Sequence, residues 1–184
     1  KQHNTFETEW CFSCMGYEIS GALGINMAKP EQDVVVFVGD GSYLLHNSDI
    51  YSSVLYDKKL IIIVCDNGGH MVINRLQLAK GGKEYLCNLR EARAKNVYLV
   101  DFEAHAKSMG ANAETVTSTS ELEAAFLRAK KSDKTYLISI KTHGYEWLEG
   151  TSFWESPTLQ NPLTDENKEA LKQHEEGKSK QRKK

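Results

Sequence analysis

The sequence predicts an α/β fold, with three layers, α/β/α, around a mainly parallel sheet. Three observations carry that prediction. Val34–Val38 (VVVFV) and Leu60–Cys65 (LIIIVC) are continuous apolar runs, as expected of strands covered on both faces. A stretch with helical spacing separates them. The same alternation returns from Asp101 to Lys141, and strands alternating with helices pair in parallel.

Taken in order, residues 15–28 are expected to form a helix that is rich in small residues (Gly16, Gly21, Ala22, Gly24) and ends before Pro30. Small residues allow a helix to pack closely on a sheet. After the first strand, one helix is expected over residues 42–56, with Leu45, Ile50, Val54 and Leu55 available to face inward. The second strand follows. Residues 68–98 contain two Gly pairs and no sustained period, so a long loop with short helical pieces is expected there. Beyond it come a helix to Met109, a strand near residues 113–116, a helix over 121–130 capped by Ser118 or Ser120, and a strand over 135–141. The expected domain covers residues 1–156. Residues 157–184 are expected to be a charged, solvated tail, with seven Lys or Arg and five Asp or Glu from Thr164 onward.

The composition excludes several function classes. At 184 residues the chain is long enough for one domain, and its net charge of −2 gives no surface for nucleic acid. No apolar run approaches the roughly 18 residues that a membrane span requires. The opening KQHNTFETEW has no initiator Met and no signal-peptide layout, so a fragment of a longer protein is expected. Four scattered cysteines point to a reducing, cytoplasmic setting. Cys11 and Cys14 form a C-x-x-C, but no second ligand pair completes a zinc site, and packing cysteines are expected.

The chemistry lies at the strand ends. VGDGS (38–42) leaves the first strand, and CDNGGH (65–70) leaves the second. Asp40 and Asn67 are 27 positions apart, enough chain for one right-handed crossover to set two parallel strands side by side. A carboxylate, an amide oxygen and a carbonyl in Gly68-Gly69 are hard donors, too few for a calcium cage but suited to Mg²⁺ completed by phosphate and water. The helix after Gly41 would direct its free N–H groups to the same phosphates. No Walker lysine and no G-x-G-x-x-G after a strand is present. His46 and His70 lie near this cluster in sequence, as substrate contacts or packing residues. His143, Trp147 and Trp154 are expected to pack.

G-D-G followed by 25 residues and Asn resembles the diphosphate-binding signature of thiamine diphosphate enzymes. MGYEISGALGINMA and DFEAHAKSMGANAETVTSTSELEAAF resemble segments of that family's acetolactate synthase and decarboxylase branch. GDGSYLLHNSDI, DNGGH and GYEWLEGTSFWESP resemble the branch members of inositol catabolism that open a cyclic 1,2-dione by hydrolysis. The resemblance implies the thiamine diphosphate-binding fold, with thiamine diphosphate and Mg²⁺ as cofactors. It implies that Asp40, Asn67 and the Gly69 carbonyl hold Mg²⁺, and that Gly39, Gly41 and Ser42 contact the diphosphate. Met15 would support the folded cofactor, and the Ser13 carbonyl would accept from its aminopyrimidine. It further implies an activating glutamate on a separate pyrimidine-binding domain of the same or a neighbouring subunit, a homo-oligomer, and a 1,2-dione or 2-oxoacid substrate. A 2-oxoacid decarboxylase or acetolactate synthase would share these motifs. A Mg²⁺-binding regulatory module without catalysis is the reading from another class.

Overall fold

The computed structural model describes residues 5–8, 12, 14–89, 95–96, 99–146 and 158–181. These fall into two compact units, the first comprising residues 1–69 and 98–142 and the second residues 70–97 and 143–184.

In the first unit, α1 (Tyr17–Ala28) precedes β1 (Val35–Gly39), α2 (Asp40–Leu45), α3 (Asp49–Leu55) and β2 (Ile61–Asp66). In the second unit lies α4 (Met71–Ala79). The chain returns to the first unit with α5 (Phe102–Ser108), β3 (Asn112–Val116), α6 (Thr119–Lys131) and β4 (Tyr136–Lys141). The four strands are all parallel, in the order β1-β2-β4-β3. On one face Val36, Val38, Ile62, Val64 and Leu137 join Ile19 and Leu23 of α1, Tyr43 of α2, Ile50 of α3 and Phe102 of α5 in a single core. On the other face Ile61 and Ile138 pack with Ala125 and Ala129 of α6. Helices thus lie on both faces of a parallel sheet and cover β2 on both, as its apolar run predicts, but β1, expected to be covered likewise, is buried on one face only. β1 is an edge strand beyond the α6 cluster, and there Phe37 stands 66% exposed.

The expected helix over residues 42–56 is two helices instead. Asn47 turns its side-chain Nδ2 to the Tyr43 carbonyl at 3.1 Å, occupying an acceptor that a continuing helix would use. The chain breaks at His46, whose φ of −152° and ψ of 77° are not helical. The break changes which residues face inward: Ile50 is buried, whereas Leu45 and Leu55 are exposed. Ser118 caps α6, accepting the Glu121 N–H at 3.2 Å.

Residues 68–98 were expected to be mostly loop, yet they carry the nine-residue α4. Asn74 of α4 is fully buried and donates to Glu84 Oε1 at 2.5 Å, a tertiary partner that its sequence period does not announce. The charged C-terminal stretch contains α7 (Asp165–Ser179), capped by Thr164 and fastened where Asn167 Nδ2 donates to the Gly81 carbonyl at 2.6 Å. One buried polar side chain thus anchors a helix that composition alone suggests is solvated.

A buried hydroxyl pair ties the first unit together at the N-terminal ends of its strands. Thr135 Oγ1 donates to the Lys58 carbonyl at 3.0 Å, accepts the Leu60 N–H at 3.1 Å and lies 2.7 Å from Ser53 Oγ. Thr135→Val keeps the shape but withdraws these partners, so urea unfolding should show a loss of about 1–3 kcal/mol. An unchanged midpoint would show that the network contributes nothing.

Candidate functional site

β1 and β2 pair with Gly39 opposite Cys65, so the residues that follow them emerge at the same edge of the sheet. Asp40 is the first residue of α2 and Asp66 the last of β2. An acidic residue in the first turn of a helix is favoured by the helix dipole, which explains why α2 begins at Asp40 rather than at Ser42. Asp40 is only 1% exposed. The Asn67 N–H approaches its Oδ1 at 3.4 Å, across the 27 residues of the crossover.

One end of the Asn67 amide lies 2.8 Å from the Gly69 carbonyl oxygen and 3.0 Å from Asp40 Oδ1. Facing two acceptor oxygens, that end is the nitrogen and donates to both. Gly68 and Gly69 make the turn, with φ of 88° and 149°, values that a side chain would strain. Gly68 N–H donates to Asp66 Oδ1 at 3.2 Å, bending the loop back over the strand end. Three oxygen-bearing groups from two strand ends thus meet within hydrogen-bonding distance.

The electrostatics are adverse without a counter-charge. Burial pushes the Asp40 carboxyl above its usual range and the nearby Asp66 carboxylate adds to the rise, while the N–H groups of Asn67, Asp40 and Gly41 oppose it. Cys65 is pushed up as well, by burial first and then by Asp40. Gly39 caps α2 without a side chain, and among the first-turn N–H groups those of Asp40 and Gly41 face the Asp40 carboxylate. Among the described residues, no three His, Cys, Asp or Glu side chains gather as a metal would need. The donor set here is instead carboxylate, amide and carbonyl, a hard-oxygen set.

Met15 lies just before α1 and is 39% exposed. Ser13, Cys11, Trp147 and Trp154 lie outside the described residues, so the expectations placed on them stand without a structural account. Cys14 is exposed. His143 is exposed and pairs with Glu146 at 3.9 Å. His70 opens the second unit; its N–H donates to the Cys87 carbonyl at 2.8 Å, and its buried Nδ1 has no hydrogen-bond partner among the described residues. Glu18, a carboxylate close to Met15 in sequence, accepts the Gly16 N–H at 2.9 Å and is thereby engaged as a turn brace.

Residues 1–140 match the family described as "Thiamine pyrophosphate enzyme, C-terminal TPP binding domain". The chain belongs to the thiamine pyrophosphate enzymes. The resemblance carried by G-D-G and Asn67 is therefore borne out, and among the relatives of this TPP-binding domain are proteins named 3D-(3,5/4)-trihydroxycyclohexane-1,2-dione hydrolase. That of Halalkalibacterium halodurans is 40% identical over 158 residues, covering 81% of this chain and 25% of the relative. The Shouchella clausii protein is 40% identical over 149 residues (78% and 23%), and the Bacillus subtilis protein 36% over 151 residues (82% and 24%). The TPP-binding domain spans about a quarter of the length of these curated relatives. Its fold is that of the Rhodococcus jostii RHA1 thiamine diphosphate-dependent 4-hydroxybenzoylformate decarboxylase, with a TM-score of 0.59, 24% identity, and coverage of 70% of this chain and 23% of that one. Among the described residues no helix is long and apolar enough to cross a membrane.

The raised carboxyl has a sign that melting can read. A folded-state value above the unfolded one makes Asp40 ionisation oppose folding, so this group favours the fold below the ordinary value of 3.8 and loses that contribution as pH rises through its shifted value. In metal-free buffer Asp40→Asn should therefore melt at or above the parent temperature at pH 7, with the difference shrinking toward pH 4. A variant less stable at pH 7 than at pH 4, relative to the parent, would contradict the burial argument.

Proposed function

We propose that this TPP-binding domain holds thiamine diphosphate through Mg²⁺ gripped by the Asp40 carboxylate, the Asn67 amide oxygen and the Gly69 carbonyl. The convergence of those three groups carries the reading. Octahedral Mg²⁺ at about 2.0–2.1 Å from its ligands sets neighbouring ligand oxygens about 2.9 Å apart. The separations of 2.8 and 3.0 Å about Asn67 agree with that spacing once the amide turns its oxygen inward. The ion would also relieve the burial of Asp40 beside Asp66, which answers why a carboxylate sits where a diphosphate binds. Gly39, Gly41 and Ser42, at the start of α2, would meet the diphosphate with backbone and hydroxyl groups. Met15 is proposed as the support on which the cofactor folds, and the Ser13 carbonyl as the acceptor for its aminopyrimidine.

We further propose that the parent enzyme opens a cyclic, polyhydroxylated 1,2-dione by hydrolysis, in inositol catabolism. The names of the relatives support this choice over a 2-oxoacid decarboxylase or acetolactate synthase, since all three that are described above carry the same dione. Bound thiamine diphosphate supplies the nucleophilic carbon and electron sink for cleaving a C–C bond next to a carbonyl. This chain's share is to anchor and orient: it fixes the charged end of the cofactor, neutralises it, and leaves the reactive end to be met by another domain. The pyrimidine-binding domain with its activating glutamate, the homo-oligomer that would bring it there, the cytoplasmic setting, and residues 1–156 as the cofactor domain belong to the same proposal.

In the full-length enzyme Asp40→Ala should abolish Mg²⁺-dependent binding of thiamine diphosphate, read by titration calorimetry. Affinity equal to that of the parent would remove the metal-ligand assignment. The 184 residues alone should show no turnover of the cyclic dione in a product assay. Ring opening by this chain by itself would show that no separate activating domain is needed.

A further inference from the structure

His46, at the break between α2 and α3, is tied into a ring of contacts that closes on the residue beside Met15. Gly16 has a φ of 96°, and a Cβ built there would stand 2.5 Å from His46 Cβ. The chain at 16 therefore lies against the base of the His46 side chain, an approach open only to glycine. The imidazole points away from this contact to a carboxylate: His46 Nε2 is 3.4 Å from Asp49 Oδ2. Asp49 is in turn held by two hydroxyl donors, Ser20 Oγ to Oδ2 at 2.5 Å and Ser52 Oγ to Oδ1 at 3.1 Å. Ser20 belongs to α1, whose Glu18 accepts the Gly16 N–H at 2.9 Å and so closes the ring.

An isolated exposed ion pair would contribute little. Here the carboxylate gathers donors from α1, from α3 and from the link between α2 and α3. The Ser20 hydroxyl is the largest cause holding Asp49 below the usual carboxylate range. The His46 side chain is half exposed, so packing alone does not hold it, and the Asp49 pair sets its rotamer. Met15 is likewise too exposed for its own packing to fix it. Its place follows from the turn at Gly16, and that turn is pressed by His46 from one side and braced by Glu18 from the other.

We propose that His46, oriented by Asp49 and Ser20, is a positioning residue that sets the Met15–Gly16 turn and thereby the binding of the thiamine portion of the cofactor, as distinct from its diphosphate. The inference rests on the cofactor reading above. It separates the two ends of one ligand: the Asp40 cluster serves the diphosphate, and the His46 ring serves the organic part.

The test uses the full-length enzyme with Mg²⁺ and two ligands, thiamine diphosphate and inorganic diphosphate, each titrated by calorimetry. His46→Gly removes both the Cβ contact and the imidazole, and should weaken thiamine diphosphate by about fivefold, the upper end for one lost exposed polar contact, while inorganic diphosphate stays within about twofold. His46→Gln keeps the Cβ and a donor for Asp49, and should restore most of the loss. If His46→Gly does not fold, Asp49→Ala carries the same comparison, because it leaves the Cβ contact in place. Equal weakening of both ligands would mean a general structural role and would overturn the proposal, as would unchanged affinity for both. Asp40→Ala distinguishes this from failure of the cofactor reading. Unchanged binding in Asp40→Ala sinks that reading, whereas loss in Asp40→Ala with intact thiamine diphosphate affinity in His46→Gly and Asp49→Ala sinks only the positioning role.

Discussion

The parallel pairing of β1 with β2 is the constraint on which the rest depends. With Gly39 opposite Cys65, the next residues on each strand have nowhere to go but the same edge, and a buried carboxylate meets a second acidic residue there. A one-residue slip in this register would exchange the faces of every side chain on β1 and send Asp40 away from Asn67. The alternation of Val36 and Val38 into the core on one face prevents that slip. Hydrophobic burial along the strands therefore positions a polar cluster in which burial and Asp66 both oppose the charge of Asp40.

The short helix α2 is held by contacts beyond its first turn. Tyr43, fully buried, places its hydroxyl 2.9 Å from His105 Nδ1 of α5, and its ring meets Phe102 edge-on at 5.1 Å. Burial raises the Tyr43 hydroxyl above its usual range, so it stays protonated. At the other end, the Asn47 amide closes the last turn and His46 takes up its place against Gly16. The break between α2 and α3 is thus more than the end of a helix. It allows His46 to face α1 while Ile50 of α3 enters the core.

Much of this was legible beforehand because it rests on local chemistry. LIIIVC announces a strand covered on both faces, VVVFV announces a strand but not its open face at Val35 and Phe37, and G-D-G with Asn67 at crossover distance announces the cluster between them. Ser118 and Ser120 announce the cap of α6, and Ser118 makes it. What escaped is tertiary in origin. The amide of Asn47 competing for Tyr43, the hydroxyl of Ser20 reaching Asp49, and the anchoring of α7 by Asn167 at Gly81 all join residues whose partners no period or spacing reveals. Asn74 buried within α4 is of the same kind, and it turns a stretch without pattern into a helix.

By itself, the sequence determined the layer order, the parallel direction of the strands and which residue types stand at their ends, because apolar runs and crossover length leave one economical arrangement. The family follows from the same residues. Only the tertiary structure decided that the Asn67 amide lies between the Gly69 and Asp40 oxygens, and that His46 sets its Cβ against Gly16 and its imidazole beside Asp49. Both are matters of a few tenths of an ångström between residues far apart in the chain, set by packing in three dimensions and carried by no pattern along the sequence.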